Sequence, residues 1–310
     1  MPKLLATQQL TAELATLHDL IERLPSDDVL TRIGLESREK EVSAELDTLG
    51  AEAENNASIA LMFGGRPVIG THGIEAAFAT EAVSEFQELI TNIWGAAEQG
   101  DVGSRGPVSD RDHSRLHITS LLHGSVGFLL EEVDDQPPMF TTPLKRATEE
   151  AAAVIAAFAS ENEEVFSEVL EAVDQRVLSS TREFFRRMYR NGATLRLVEG
   201  ETELELRSEQ VGRAYERAEN ATIDEKESPI SGILLGLLPL SRKFELRSDD
   251  GAEISGSVAA TLSQSYLERL REEDLVGKHC NGRAKFRRIT RFGRTTEKVV
   301  LLDLVATENS

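Results

Sequence analysis

The sequence predicts an α+β protein with an N-terminal helical hairpin, a small antiparallel sheet with long helices, and a C-terminal five-stranded β-barrel. Three observations carry this reading. Leu10, Leu14, Leu17, Ile21 and Leu24 step by four, three, four and three residues, the seam of a helix that packs on another helix. Short apolar runs separated by glycine turns (SIALMF then GG; RLHITSLL, HG, SVGFLLEEV; TLRLV, EGE, TELEL) follow the pattern of β-hairpins, and helices with one apolar stripe lie between them. From Ile230 to Ala306, five strand-like runs enclose one amphipathic segment.

Composition sets the bounds. At 310 residues the chain exceeds what one hydrophobic core organises, so two or three domains are expected. An apolar content of 40% beside 28% charged residues fits a globular protein, and abundant Ala, Glu and Leu lean it towards helix. Cys280 is the only cysteine, which excludes an internal disulfide and a cysteine-based zinc cluster and suits a reducing compartment. The first residues, MPKLLATQQLTAELATL, lack the uninterrupted apolar core of a leader, and no run approaches the roughly 18 apolar residues of a membrane span. A cytoplasmic protein with no membrane partner is the expectation. The net charge of −20 opposes unspecific adhesion to nucleic acid, so such a contact would have to be confined to a patch.

Residues 1–56 form the helical hairpin. Pro25 stops the first helix, SDD offers the N-cap of a second, and Leu35, Val42, Leu46 and Leu49 continue its apolar face. Two narrow seams bury little alone, so the hairpin is expected to pack on the body of the protein or on a second copy. Residues 57–140 form an α+β unit. It comprises two strands around Gly64-Gly65, a helix from about Gly73 to Ala97 bearing Phe78, Val83, Phe86, Ile90, Ile93 and Trp94, a flexible EQGDVGSRGPVSDRD loop, and a second hairpin. Pro67 donates no ladder bond, so its strand is expected to lie at an edge or to begin there. After the QPPMFTTP linker, residues 141–227 hold a long helical region from Leu144 to about Arg190, with a break near Ser160-Glu161 and an end at Asn191-Gly192. A hairpin at 194–206 follows, open between the central sheet and the barrel, and then a short helix.

Residues 228–310 read as ISGILLGLL, KFELRS, AEISGSV, the helical SQSYLERLREED, then CNGRAKFRRI and EKVVLLDLV. Asp249-Asp250-Gly251 turns the second run into the third, and Leu262, Tyr266, Leu267 and Leu270 give the insert its buried stripe. This order of strand, strand, strand, helix, strand, strand resembles the OB-fold. That resemblance implies a five-stranded barrel whose ligands lie on strands 2 and 3 and on the loops joining strands 1–2 and 4–5.

The expected strand 4–5 ribbon is basic. It carries Arg283, Lys285, Arg287, Arg288, Arg291, Arg294 and Lys298 against Glu297 alone, with Phe292 in its turn. From Ile230 to Ala306 there are 13 Lys/Arg and 10 Asp/Glu, so this stretch stands at +3 and the remainder at −23. Those eight residues are the candidate binding site. For single-stranded nucleic acid the cations would neutralise phosphates and Phe292 would stack on a base; for an acidic protein surface, the chain's own included, the same cations would pair with carboxylates. The strand 2–3 face, with Lys243, Glu245, Arg247, Glu253, Ser255 and Ser257, is mixed in charge.

Signatures of catalysis are weak. GGRPVIGTHG matches neither phosphate-loop pattern and makes a turn plus a helix start more naturally. His113 and His117, on one strand face with His72 as a third ligand, would be the only metal set, beside Asp110 and Asp112, but histidines so placed are ordinarily surface residues. HGSVG sits in a hairpin turn, not at a nucleophile elbow. No catalytic residue, metal or cofactor is expected. Arg182, Arg186, Arg187 and Arg190 end the long helix, where cations meet the negative end of its dipole. The resulting reading is a non-enzymatic multi-module binding and assembly protein, homo-oligomeric through its N-terminal helices. The alternatives are a hydrolase or nucleotide-binding enzyme with its site between Arg66, His72, His117 and Ser125, and an adaptor subunit of a larger complex.

Overall fold

The computed structural model describes the chain except for residues 26, 52, 100–109, 123–125, 135–137, 260–261, 263–274 and 307–310. It forms two compact units, Met1–Glu219 and Asn220–Ser310, within the two or three domains expected from length, where the patterning along the chain reads as four segments. Strand pairing is the reason. Strand β1 (Ser58–Gly65) is the centre of an antiparallel sheet. On one side it pairs with β5 (Val126–Glu131), which pairs outward with β4 (His117–Leu122); on the other it pairs with β6 (Ala193–Glu199), which pairs with β7 (Thr202–Leu206). The 194–206 hairpin therefore completes the sheet begun at residue 58.

Ser58 to Phe63 are all buried, the continuous run of a strand covered on both faces. With both edges of β1 occupied, no hairpin forms about Gly64-Gly65. Val68–Ile69 (β2) pairs instead with Gly73–Ile74 (β3), and helix α3 (Ala76–Gln99) follows. Ile59, Leu61 and Phe63 face one side of the sheet, where Phe63 meets Phe78 of α3 edge-on at 5.4 Å. On the opposite face Ala60, Met62, Leu129 and Val198 are packed by Leu4 and Leu5.

The expected long helix breaks twice, into α4 (Pro143–Ala159), α5 (Glu163–Ala172) and α6 (Gln175–Arg190). Each restart is capped: Asn162 Oδ1 accepts the Glu164 amide at 2.8 Å, and Asp174 Oδ1 accepts the Val177 amide at 2.8 Å. Helix α6 ends as expected, with Gly192 at φ 59° donating to the Tyr189 carbonyl. Phe158, Phe166, Phe184 and Phe185 interlock between these helices, and Phe86 of α3 packs on Phe184. Helix α7 (Ser208–Asn220) closes the unit, and its buried Arg217 donates to the Phe158 and Ser160 carbonyls at the end of α4.

Helices α1 (Lys3–Arg23) and α2 (Val29–Ala51) form the N-terminal hairpin, with Leu17 and Val42 buried and Leu10, Leu14, Ile21 and Leu24 half-buried along the seam. A buried charge cluster ties it down. Lys145 of α4 pairs with Glu199 of β6, with Glu149 at 3.6 Å and with Glu54 at 3.8 Å, and Glu54 accepts the Lys3 amide at 2.7 Å. Burial opposes the ammonium, but Glu199, then Glu54 and Glu149, hold Lys145 above its usual value.

In the second unit β8 (Ala221–Leu238), β9 (Lys243–Ser248), β10 (Glu253–Val258), β11 (His279–Arg291) and β12 (Arg294–Ala306) form a closed ring in the order β10-β12-β11-β8-β9. Only β10 and β12 run parallel. Leu234, Leu237, Phe244, Leu246, Ala284, Leu301 and Leu304 fill its centre. Gly256 is required where β10 meets β12, because a Cβ there would lie 2.1 Å from the Val299 carbonyl oxygen. The helix expected over SQSYLERLREED lies outside the described residues; Leu262, the residue before it, packs on this core. Among the described residues no helix is long and apolar enough to cross a membrane.

Candidate functional site

Strand β8 starts at Ala221, seven positions earlier than the barrel expected from Ser228, and this changes the chemistry of the ribbon. Ile223 pairs across from Ile289, and the two are 1% and 3% exposed, so the added turn of strand has its own apolar anchor. It also brings Asp224, Glu225 and Glu227 alongside β11. Lys285 and Arg287 pair with Glu225 at 3.7 and 3.3 Å, Arg283 pairs with Asp303 at 2.7 Å and Glu227 at 3.8 Å, and Arg288 pairs with Glu297 at 2.7 Å. The excess of +3 thus belonged to the limits of the stretch, which left out Asp224, Glu225, Lys226 and Glu227 at its start and Glu308 at its end. Across Asn220–Ser310 the sequence has 14 Lys/Arg and 14 Asp/Glu, so this unit is neutral and the first carries the −20.

Alternation along β11 puts Arg283, Lys285, Arg287 and Arg291 on one face, which Lys298 and Arg294 share as the cross-strand partners of Arg287 and Arg291, and Arg288 on the other. Arg294, Lys298 and Phe292 are exposed, and Arg291 is half-buried. What stands out is the tip. Arg291 and Arg294 flank a two-residue turn in which Phe292 has φ 43° and Gly293 φ 76°, the geometry of a type I′ hairpin that favours Asn or Gly at its first central position. Phe292 occupies that position with 57% of its surface exposed. Thr290 and Thr295 share a 3.0 Å hydroxyl contact beneath it, and the Phe292 amide donates to the Asn220 carbonyl. On the strand 2–3 face a cavity of about 510 Å³ is lined by Lys243, Glu245, Ser255 and Ser257 with Leu238, as mixed in charge as the sequence indicated.

The first unit does not assemble the alternative enzyme site. Arg66 follows the Gly65 end of β1 and His72 lies between β2 and β3, whereas His117 pairs with Glu131 opposite Ser58, at the other end of β1. An eight-residue strand separates these ends by roughly 23 Å. Ser125 lies outside the described residues. His113 is not on a strand with His117. It sits in a 3-10 turn, Arg111–Ser114, because Ser114 and Leu116 are bonded to Gln87 of α3 and hold the chain away from β4. Among the described residues no group of three or more His, Cys, Asp or Glu is placed to hold a metal. The arginines of α6 are engaged locally: Arg186 with Glu219 and Glu183, Arg187 with Glu85 and Glu81, and Arg182 with the Ala218 carbonyl.

These features define a two-unit α+β protein in whose basic ribbon Arg283, Lys285, Arg287 and Arg288 pair with carboxylates of the ribbon and of β8. No protein family, curated protein or solved structure matches the chain.

Proposed function

We propose that the chain is a non-enzymatic binding and assembly protein whose second unit is an OB-like barrel that engages an acidic protein surface through the tip of the β11–β12 hairpin. Support for the OB-like description comes from the ring order, with the third strand parallel to the fifth and the first beside the fourth. The observation that carries the function is Phe292, an exposed aromatic in a left-handed conformation between two arginines. Strained residues persist where surrounding structure over-determines them, and they cluster at binding sites. A central aromatic with arginine beside it is also the composition of interface hot spots. Single-stranded nucleic acid is the weaker ligand, because a strand-tracking groove needs a run of unneutralised cations and Arg283, Lys285, Arg287 and Arg288 are already paired with carboxylates. The deciding measurement compares the wild type with Phe292→Ala. Co-purification of an acidic protein with the wild type and not the variant supports the reading; equal retention by both, or salt-sensitive binding of an oligothymidylate with no protein retained, overturns it.

Self-association through the N-terminal hairpin belongs to the same proposal, with the cytoplasm as its place of action. The seam is consumed between α1 and α2, but Leu20, Val29, Leu30 and Ile33 remain exposed near their turn. These are the residues a second copy would cover.

A further inference from the structure

A cavity of about 420 Å³ in the first unit, remote in sequence from the ribbon, is built from four directions. Helix α3 supplies Trp94 and Glu98. The 3-10 turn supplies Asp110 and His113, and its position is fixed: Ser114 Oγ donates to Thr91 Oγ1 at 2.9 Å, Gln87 Nε2 donates to the Ser114 carbonyl at 2.7 Å, and Arg111 pairs with Glu88. This anchoring holds the His113 ring nearly parallel to the indole, at 16° and 6.5 Å between centroids. The start of α4 supplies Leu144 and Pro143, and the segment after β5 supplies Glu132. One oxygen of that carboxylate, Oε2, accepts from the Ala57 amide at 2.9 Å and from the Thr142 hydroxyl at 2.6 Å, which fixes its position.

The chemistry of the lining selects a charge type. Among the described residues it contains the carboxylates of Glu98, Asp110 and Glu132 and no lysine or arginine, so an anion is disfavoured. The nearby N-terminus of α4 does not reverse this. Pro143 has no amide hydrogen to offer and the Lys145 amide is already taken by Thr142 Oγ1 at 3.0 Å. A bare metal ion is unsuited, because among the described residues no group of three or more His, Cys, Asp or Glu is placed to ligate one, whereas a larger onium head can lie between more widely spaced carboxylates. What remains complementary is a cation with an apolar body: the aromatic and aliphatic walls of Trp94, Pro143 and Leu144 take the body, an aromatic face attracts a cation, and the volume falls within the range of small-molecule sites, about 300–1,000 Å³.

We propose that this cavity binds an organic cation, an ammonium or guanidinium group on a short alkyl stem, with the head among Glu98, Asp110 and Glu132 and the stem against Trp94 and Leu144. The group is carried either by a free amine or by a lysine or arginine side chain of a polypeptide. Trp94 is the only tryptophan in the chain, so its fluorescence reports on this cavity alone. The test titrates the full-length protein with agmatine, with a short arginine-containing peptide, and with uncharged pentanamide. A saturable change in Trp94 emission with agmatine or the peptide, absent with pentanamide, is the expected result, and whichever saturates at lower concentration names the source. Glu98→Gln combined with Asp110→Asn, both at exposed positions, is expected to weaken that binding about tenfold with an unchanged thermal midpoint. Absence of saturation with both cations, an equal response to pentanamide, or undiminished binding by the double variant overturns the proposal. Calorimetric titration of the same variant decides the matter if its fluorescence baseline shifts.

Discussion

Arg287 Nε lies 3.3 Å from Glu225 Oε1, and the two side chains are only 12% and 17% exposed. A cation so placed carries a large desolvation cost that its carboxylate offsets, and Lys285 shares the same group. Glu225→Gln is therefore expected to lower the stability of the second unit by about 1–3 kcal/mol in urea unfolding, since two cations lose a partner of opposite charge. An unchanged midpoint would mean that the pair is spectator geometry. The same variant adds positive charge to the ribbon, and a gain of oligonucleotide binding on that substitution would indicate that Glu225 acts as an electrostatic brake.

This pairing also marks where sequence legibility stopped. The helical seam at Leu10 to Leu24, the cap at Asn191-Gly192 and the hairpin at Asp249-Asp250-Gly251 are local signals, and each is in place. The first turns of β8, ATIDEKE, hold only Ala221 and Ile223 as apolar residues, Ile223 pairs with Ile289 across a long sequence separation, and charges on both faces hide a strand whose partners lie some sixty residues on. The central place of β1 was written in SIALMF, six consecutive residues without a solvent face, but which strands flank it depends on non-local pairing. The Trp94 cavity had no signature, because His113 reaches the indole only through the 3-10 turn bonded to Gln87.

The Lys145–Glu199 pair should behave as a unit. Lys145→Met leaves a buried carboxylate without a counter-charge and is expected to cost about 3–5 kcal/mol, while the double variant Lys145→Met with Glu199→Leu should recover most of that loss. The pH dependence has a defined sign. A lysine held above its unfolded value contributes stability that is fully present below about pH 10 and is lost as pH rises through the folded value. Urea midpoints at neutral and alkaline pH should therefore converge in the double variant but not in the wild type.

The acid limb has a separate source. Hydrogen bonding from Arg186, whose Nε is 2.7 Å away, holds the Glu219 carboxyl below its usual value. A depressed carboxylate contributes stability above its unfolded value, near about pH 4.3, and loses it as pH falls through the folded value. Glu219→Gln should lower stability at pH 7 by roughly 0.5–1 kcal/mol and reduce the steepness of acid unfolding, a modest effect because the pair is partly solvated. A variant with the wild-type acid profile would assign that limb elsewhere.

If Leu20, Val29, Leu30 and Ile33 cover a second copy, then Leu30→Asp with Ile33→Asp should convert the oligomer to a monomer in light scattering at micromolar concentration. Both residues are exposed, so the fold should persist by circular dichroism. A wild type that is itself monomeric at that concentration would remove self-association from the proposal.

Phe292 offers the sharpest test because its local cost and its proposed use have opposite signs. A bulky residue at φ 43° is held in a region that side-chain sterics disfavour, and Asn tolerates the same backbone far better. Phe292→Asn is accordingly expected to raise the stability of the second unit by about 1 kcal/mol. Gly293→Ala, at φ 76° with no atom within 4 Å of the added carbon, should lower it by about 1 kcal/mol through backbone strain alone. The two substitutions thus calibrate the turn without altering any charge. If Phe292 is the anchor of a protein interface, Phe292→Asn should lose the partner even as the fold gains stability, and Gly293→Ala should keep the partner at temperatures where it remains folded. Partner capture that followed stability in both variants, weakened by Gly293→Ala and strengthened by Phe292→Asn, would show that the ring is a tolerated strain and that contact is made elsewhere on the unit.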